Sequence, residues 1–185
     1  LRLSSLHWGG ASGSFVSPDG LVLTNHHVAR GSIGRISTKE RDLVKTGYVA
    51  RTRDEELKIP GLTVRTLVEM VNVTAQVNEA VKPGMKEARA LEARRKVHEA
   101  LKDETAKRTG LQCDMVSFYE GGESWIYAYK VHTDVRLVAA PELQIGLFGG
   151  DPDNFTYPRH DLDFTLFRIY EDGKPYKPQH WLTWS

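Results

Sequence analysis

The sequence predicts a mainly β protein, a barrel interrupted by one helical insertion. Three observations carry that expectation. Short β-prone runs bounded by turn residues occupy both ends of the chain. A charged, alanine-rich stretch with helical spacing lies between them. The order strands, helices, strands is packed most simply as a sheet with an insert.

The first hairpin is the plainest. Ser14-Phe15-Val16 and Leu21-Val22-Leu23-Thr24 flank Ser17-Pro18-Asp19-Gly20. Proline presets φ at the second turn position, and glycine accepts positive φ near the end. From Gly31 to Pro60 the chain is polar and turn-rich, with no sustained period. Leu62 to Val68 alternates in part and reads as a strand. From Thr74 to Arg108 the texture changes to charges and alanines. Ala90, Ala93, Val97 and Leu101 recur at three- and four-residue steps, an amphipathic helix stripe. Pro83-Gly84 divides the region into a short and a long helix, and Gly110 is a plausible stop. Strand signals resume at Cys113 to Tyr119, Trp125 to Lys130 and Val135 to Ala139, with Gly121-Gly122 turning the first into the second. Phe164 to Tyr170 is the clearest strand, and Asp172-Gly173 turns the chain after it. The expected division is 1–70 with 112–185 for the barrel part and 72–110 for the helical insertion.

Composition excludes several classes. The 185 residues suit one domain, or one barrel with a small insertion. A net charge of +1 gives no electrostatic case for nucleic acid or a membrane surface. The longest apolar runs, such as Leu21-Val22-Leu23, are strand-sized, so none can span a bilayer. Cys113 stands alone and allows no internal disulfide. Leu1-Arg2-Leu3-Ser4 does not read as a secretion signal; the chain reads as already in progress where it enters Trp8-Gly9-Gly10.

Two clusters could carry chemistry. Asn25-His26-His27 follows directly on a strand, where a general base is held rigidly yet reaches substrate. Adjacent histidines in a strand point to opposite faces, and no His-Glu-x-x-His or Cys-x-x-Cys spacing exists. No metal and no cofactor is therefore expected. The second cluster runs from Phe148 to Phe164 and holds Asp151, Asp153, Asn154, Phe155, Arg159, His160, Asp161 and Asp163 in a Gly/Pro-rich loop. Asp163 stands just before the apolar strand, a rigid place for a carboxylate that orients an imidazole. Gly10-Ala11-Ser12-Gly13-Ser14 imitates a nucleophile motif, but it precedes the histidine. Ser185 has no flanking Gly-x-Ser-Gly. The order Gly-rich entry, hairpin, then Leu23-Thr24-Asn25-His26-His27 resembles the strand–turn–strand–His start of chymotrypsin-like barrels, and this resemblance implies part of a chymotrypsin-like (trypsin-like) double β-barrel with a helical insertion. It carries the His and Asp of a catalytic triad and no nucleophile Ser.

At these motifs the sequence resembles the bacterial dipeptidyl-peptidase 7/11 family. The likeness runs through Trp8-Gly9-Gly10, Ser17 to His27, Arg53 to Leu57, Pro60-Gly61-Leu62, Ser117 to Gly122, Tyr127 to Lys130, Thr133 to Val138 and the Phe148 to Asp163 loop. It covers nearly the whole chain. The resemblance implies that His27 is the catalytic base and Asp163 the triad acid. It implies that Asn154 and Phe155 hold the substrate's free amino terminus. The implied reaction releases dipeptides from peptide amino ends through an acyl-enzyme on Ser. The implied partners are peptide substrates and the remainder of the peptidase domain carrying that Ser, with a homodimer in the full-length protein. The implied location is the periplasm or cell surface. Family proteins are several times longer and place their Ser far downstream, so the chain is expected to be an amino-terminal fragment, inactive alone. Two other departures stand out: Ala11 and Val28 replace a family Cys pair, and Phe155 replaces the usual Trp. A noncatalytic binder of peptide amino termini and an HtrA-like endopeptidase are the alternatives.

Overall fold

Trp8-Gly9-Gly10 turns the chain back on itself, joining β1 (Ser5–Trp8) to β2 (Ala11–Phe15) in the register Ser5↔Ser14 to Trp8↔Ala11. The structure is a computed structural model that describes residues 2–148, 150, 157 and 160–183. The chain continues through β3 (Leu21–Thr24), α1 (His26–Gly34), α2 (Leu43–Thr46), β4 (Tyr48–Val49), β5 (Leu57–Lys58) and β6 (Val64–Asn72). Then come α3 (Thr74–Glu79), α4 (Glu87–Thr109), β7 (Gln112–Phe118) and β8 (Glu123–His132). It ends with β9 (Asp134–Ala140), α5 (Leu143–Gly146), β10 (Thr165–Glu171) and β11 (Lys174–Pro175). Contacts divide the chain into two units, Leu1–Arg65 with His132–Ser185, and Thr66–Val131.

In the first unit the strand order is β4-β9-β10-β3-β2-β1, with β5 added to β9 and β11 to β10. These strands all pair antiparallel. The architecture is mainly antiparallel β. β10 is its centre because its period is two: Thr165, Phe167 and Ile169 are fully buried, while Leu166 and Arg168 are only partly so. Phe167 lies opposite Val22 on one side and Leu137 on the other, and its ring centroid is 4.8 Å from that of Trp8. Leu6, Phe15, Ile59, Val64 and Val135 complete this core.

The β2–β3 connection follows the expected turn chemistry. The Ser17 hydroxyl accepts from the Asp19 and Leu21 amides, and Gly20 takes φ +71. A Cβ on Gly20 would stand 2.7 Å from the Tyr176 carbonyl oxygen and 3.0 Å from that of Ile169. Gly20→Ala is therefore expected to cost about 2–4 kcal/mol, combining left-handed strain with a backbone clash. Urea unfolding of the variant against the parent measures it.

The segment with no period, Gly31 to Pro60, holds two helices and two strands of two residues each. Two-residue strands cannot show alternation; β4 and β5 exist because β9 pairs with them. α1 forms where β3 ends, and Ala29 and Ile33, four residues apart, are buried in the core.

The second unit orders its strands β6-β8-β7, with β7 and β8 antiparallel from Gln112↔Tyr129 to Phe118↔Glu123. The Ala90, Ala93, Val97, Leu101 stripe lies within α4. Ala90 is buried, and Val97 and Leu101 pack on Val73, Val77 and Ile126. Pro83-Gly84 lies between α3 and α4, and Gly110 closes α4 in the left-handed conformation. The unit thus contains three strands as well as both helices. Among the described residues, no helix is long and apolar enough to cross a membrane.

Candidate active site

The start of β10 and the end of β3 lie side by side, because Thr165 pairs with Thr24. One residue beyond Thr24 stands Asn25, and two residues before Thr165 stands Asp163. Sheet register therefore brings two segments 138 positions apart in sequence into contact. Asn25 donates from Nδ2 to Asp163 Oδ2 at 2.9 Å and to the Asp163 carbonyl at 3.2 Å. The backbone then enters α1, whose first amides lack partners within the helix. The His27 amide donates to Asp163 Oδ1 at 3.0 Å, so the carboxylate caps the helix from the segment that leads into β10. The positive end of a helix favours an anion at that place.

His27 Nδ1 lies 2.7 Å from Asp163 Oδ2. A carboxylate opposite Nδ1 assigns the proton of the neutral ring to Nδ1 and leaves Nε2 as the basic nitrogen. The Asp163 side chain is 4% exposed and that of His27 is 39% exposed. A buried carboxylate is tolerable only when bonded, and this one accepts from the Asn25 amide, the His27 amide and the His27 ring. The pair is thus an exposed base held by a buried, oriented acid.

His26 behaves differently. Both histidines occupy the first turn of α1 and do not continue the strand. Successive helix residues project about 100° apart, so the neighbours still face different surroundings. His26 is 1% exposed, and its Nε2 has no hydrogen-bond partner among the described residues. Burial holds its pKa below the ordinary value of 6.5, against the attraction of Asp163. With the folded value below the unfolded one, the unfolded chain takes the proton first. Stability is then complete above pH 6.5 and drains as pH falls below it. Urea unfolding between pH 7.5 and 5 should show that decline, and His26→Ala should flatten it.

Asn154 and Phe155 lie outside the described residues, as do Asp151, Asp153 and Ser185. Ser12 is exposed on β2 and makes no hydrogen bond to His27 among the described residues. It lines a cavity of about 280 Å³ with Gly13, Thr24, Asn25, Asp163 and Phe164. Among the described residues no three His, Cys, Asp or Glu side chains converge to hold a metal. Asn25 has no role of its own in the reading of the sequence. Its only signal is its place between the strand end and the histidines.

A mainly antiparallel β fold that presents a histidine on a buried aspartate is found in chymotrypsin-like serine peptidases. The chain belongs to the peptidase S46 family, whose model matches residues 1–185. It is 41% identical over 174 residues to dipeptidyl-peptidase 7 of Phocaeicola vulgatus, covering 90% of this chain and 24% of that protein. It is 36% identical over 191 residues to the Asp/Glu-specific dipeptidyl-peptidase of Porphyromonas endodontalis, covering 94% of this chain and 26% of that one. The crystal structure of Porphyromonas endodontalis DPP11 in complex with the dipeptide Arg-Glu superposes with a TM-score of 0.81 at 34% identity. It covers 97% of this chain and 28% of that chain. The fold is accordingly chymotrypsin-like, and the chain spans about a quarter of the length of the relatives it matches.

Proposed function

We propose that this chain supplies the base and the orienting acid of a serine-type dipeptidyl-peptidase that releases dipeptides from the free amino terminus of peptides. The observation that carries the reading is the 2.7 Å contact of His27 Nδ1 with Asp163, inside a chain of the S46 family. In this reading Nε2 of His27 takes the proton of a serine hydroxyl as its oxygen attacks the scissile carbonyl. The proton then passes to the leaving amine, and water repeats the cycle on the acyl-enzyme. Asp163 keeps the ring in its tautomer and stabilises the imidazolium formed at each step. The serine and its oxyanion donors belong to the remainder of the longer peptidase, so the 185 residues alone do not turn over peptide. Asn154 offers an acceptor and Phe155 an apolar wall to the substrate ammonium. The full-length protein acts in the periplasm or at the cell surface, as a homodimer.

The test is hydrolysis of matched peptides with free and with acetylated amino ends by the full-length protein, with products weighed by mass spectrometry. Dipeptides from the free peptide alone are expected. Equal cleavage of the blocked peptide would show an endopeptidase. Binding without cleavage would show a noncatalytic relative.

A further inference from the structure

His26 plays no part in the proton path described above, yet it is the most deeply buried titratable side chain beside it. Its ring lies against α5: a Cβ on Gly146 would stand 2.9 Å from both Cγ and Nδ1 of His26. Real Cβ atoms essentially never approach so closely, so only glycine fits on this ring. α5 has a second attachment. The Leu162 amide donates to the Ile145 carbonyl at 3.0 Å, and Leu162 immediately precedes Asp163. Gly146 in turn donates its own amide to the Glu142 carbonyl at 2.9 Å, which keeps the turn closed. The contact on His26 and the bond to Leu162 therefore join α1, which carries His27, to the residue before the acid that orients it.

We propose that His26 is a positioning residue: its ring is the seat for Gly146, and through Ile145 and Leu162 this seat sets Asp163 against His27. The inference rests on the reading of His27 and Asp163 as a catalytic pair. An uncharged ring suits the role, and burial keeps His26 in that state. A protonated ring would bring a buried charge to the joint. The strand register of Thr165 with Thr24 fixes the approach of the two segments only to the start of β10. The last ångström at Asp163 is left to contacts such as this one.

The test uses the full-length protein with His26→Ala, Gly146→Ala and the double variant. Misplacing a catalytic group by about 1 Å costs on the order of 100-fold, so each single variant is expected to lose about 10- to 100-fold in kcat. KM is expected to change less than about threefold, since no substrate contact is removed. The new methyl occupies part of the space that the ring vacates, so the double variant should lose clearly less than the product of the two. The downfield proton signal of His27 Nδ1 should move upfield in both single variants. A merely destabilised but correctly built protein would keep that signal in its folded fraction. Unchanged kcat and an unmoved signal in the single variants overturn the proposal, as does a double loss equal to the product. If His26→Ala does not fold, Gly146→Ala alone supplies both readouts on the same terms. His27→Ala in parallel separates the two ideas. Activity surviving there ends the catalytic-pair reading, while the His27 proton signal in the His26→Ala and Gly146→Ala variants still reports whether His26 positions the ring.

Discussion

Replacing His27 with alanine in the full-length protein is expected to lower kcat by about 10^4- to 10^6-fold, the scale of a lost triad base. KM should stay within about threefold, because the side chain acts on the nucleophile and not on the bound peptide. Asp163→Asn should cost about 10^4-fold for a separate reason. An amide nitrogen opposite Nδ1 would donate where the carboxylate accepts, forcing the proton onto Nε2 and disabling it as a base. Asn25→Ala removes one of the bonds to the same carboxylate and leaves both from His27. A net hydrogen bond is worth about 1 kcal/mol, so roughly a fivefold loss is expected there. The graded series is the content of the prediction. Comparable losses at His26 and His27, or a mild effect of Asp163→Asn, would dismantle the pair as drawn.

Much of this site could be seen in the linear sequence, for a physical reason. The two residues singled out for catalysis flank strands with strong local signals, Leu21 to Thr24 and Phe164 to Tyr170. Once those strands pair at Thr24 and Thr165, the residues beside them must meet. The mainly β class was visible on the same grounds, since turn glycines and β-branched runs act locally. What stayed hidden depends on distant contacts. α1 was missed because its sequence, His-His-Val-Ala-Arg-Gly-Ser-Ile-Gly, has two glycines and a weak apolar stripe. It is helical because Ala29 and Ile33 find a core to enter. β4 and β5 were missed because β9 creates them. The tie from Asn25 to Asp163 and the seat of Gly146 on His26 join residues more than a hundred positions apart. No spacing rule within one segment signals either.

The second large effect concerns the strand that carries Asp163 into the sheet. Glu56→Ala is expected to destabilise the fold by about 3–5 kcal/mol, the scale of breaking a buried ion pair from one side. The Glu56 side chain is 3% exposed, and its carboxylate accepts from Arg168 Nε at 2.9 Å and from the Tyr170 hydroxyl at 2.8 Å. Both partners lie on β10, and burial with Glu56 nearby pushes the Tyr170 hydroxyl pKa up. Above the Tyr170 ring sits the Arg136 guanidinium, 3.8 Å from the centroid and itself bonded to Asp134. Removing the carboxylate leaves Arg168, 13% exposed, with only its bond to the Asp19 carbonyl among the described residues, and leaves the Tyr170 hydroxyl without its acceptor. Desolvation of the orphaned guanidinium is what makes the loss large; the net attraction of the intact pair is much smaller. Two further variants separate these contributions. Glu56→Gln retains an acceptor for Arg168 and should cost only about 1–2 kcal/mol. Arg168→Ala in the Glu56→Ala background should cost far less than in the parent, because the charge it removes is already unpaired. Thermal unfolding reads the effect as a fall in Tm on the order of 10 °C. A fall below about 3 °C would mean that water reaches Arg168 and relieves it. The His27–Asp163 pair stands at the other end of β10, so the full-length Glu56→Ala protein assayed well below its new Tm should keep its kcat. A loss of kcat there would show that the strand transmits the defect to Asp163.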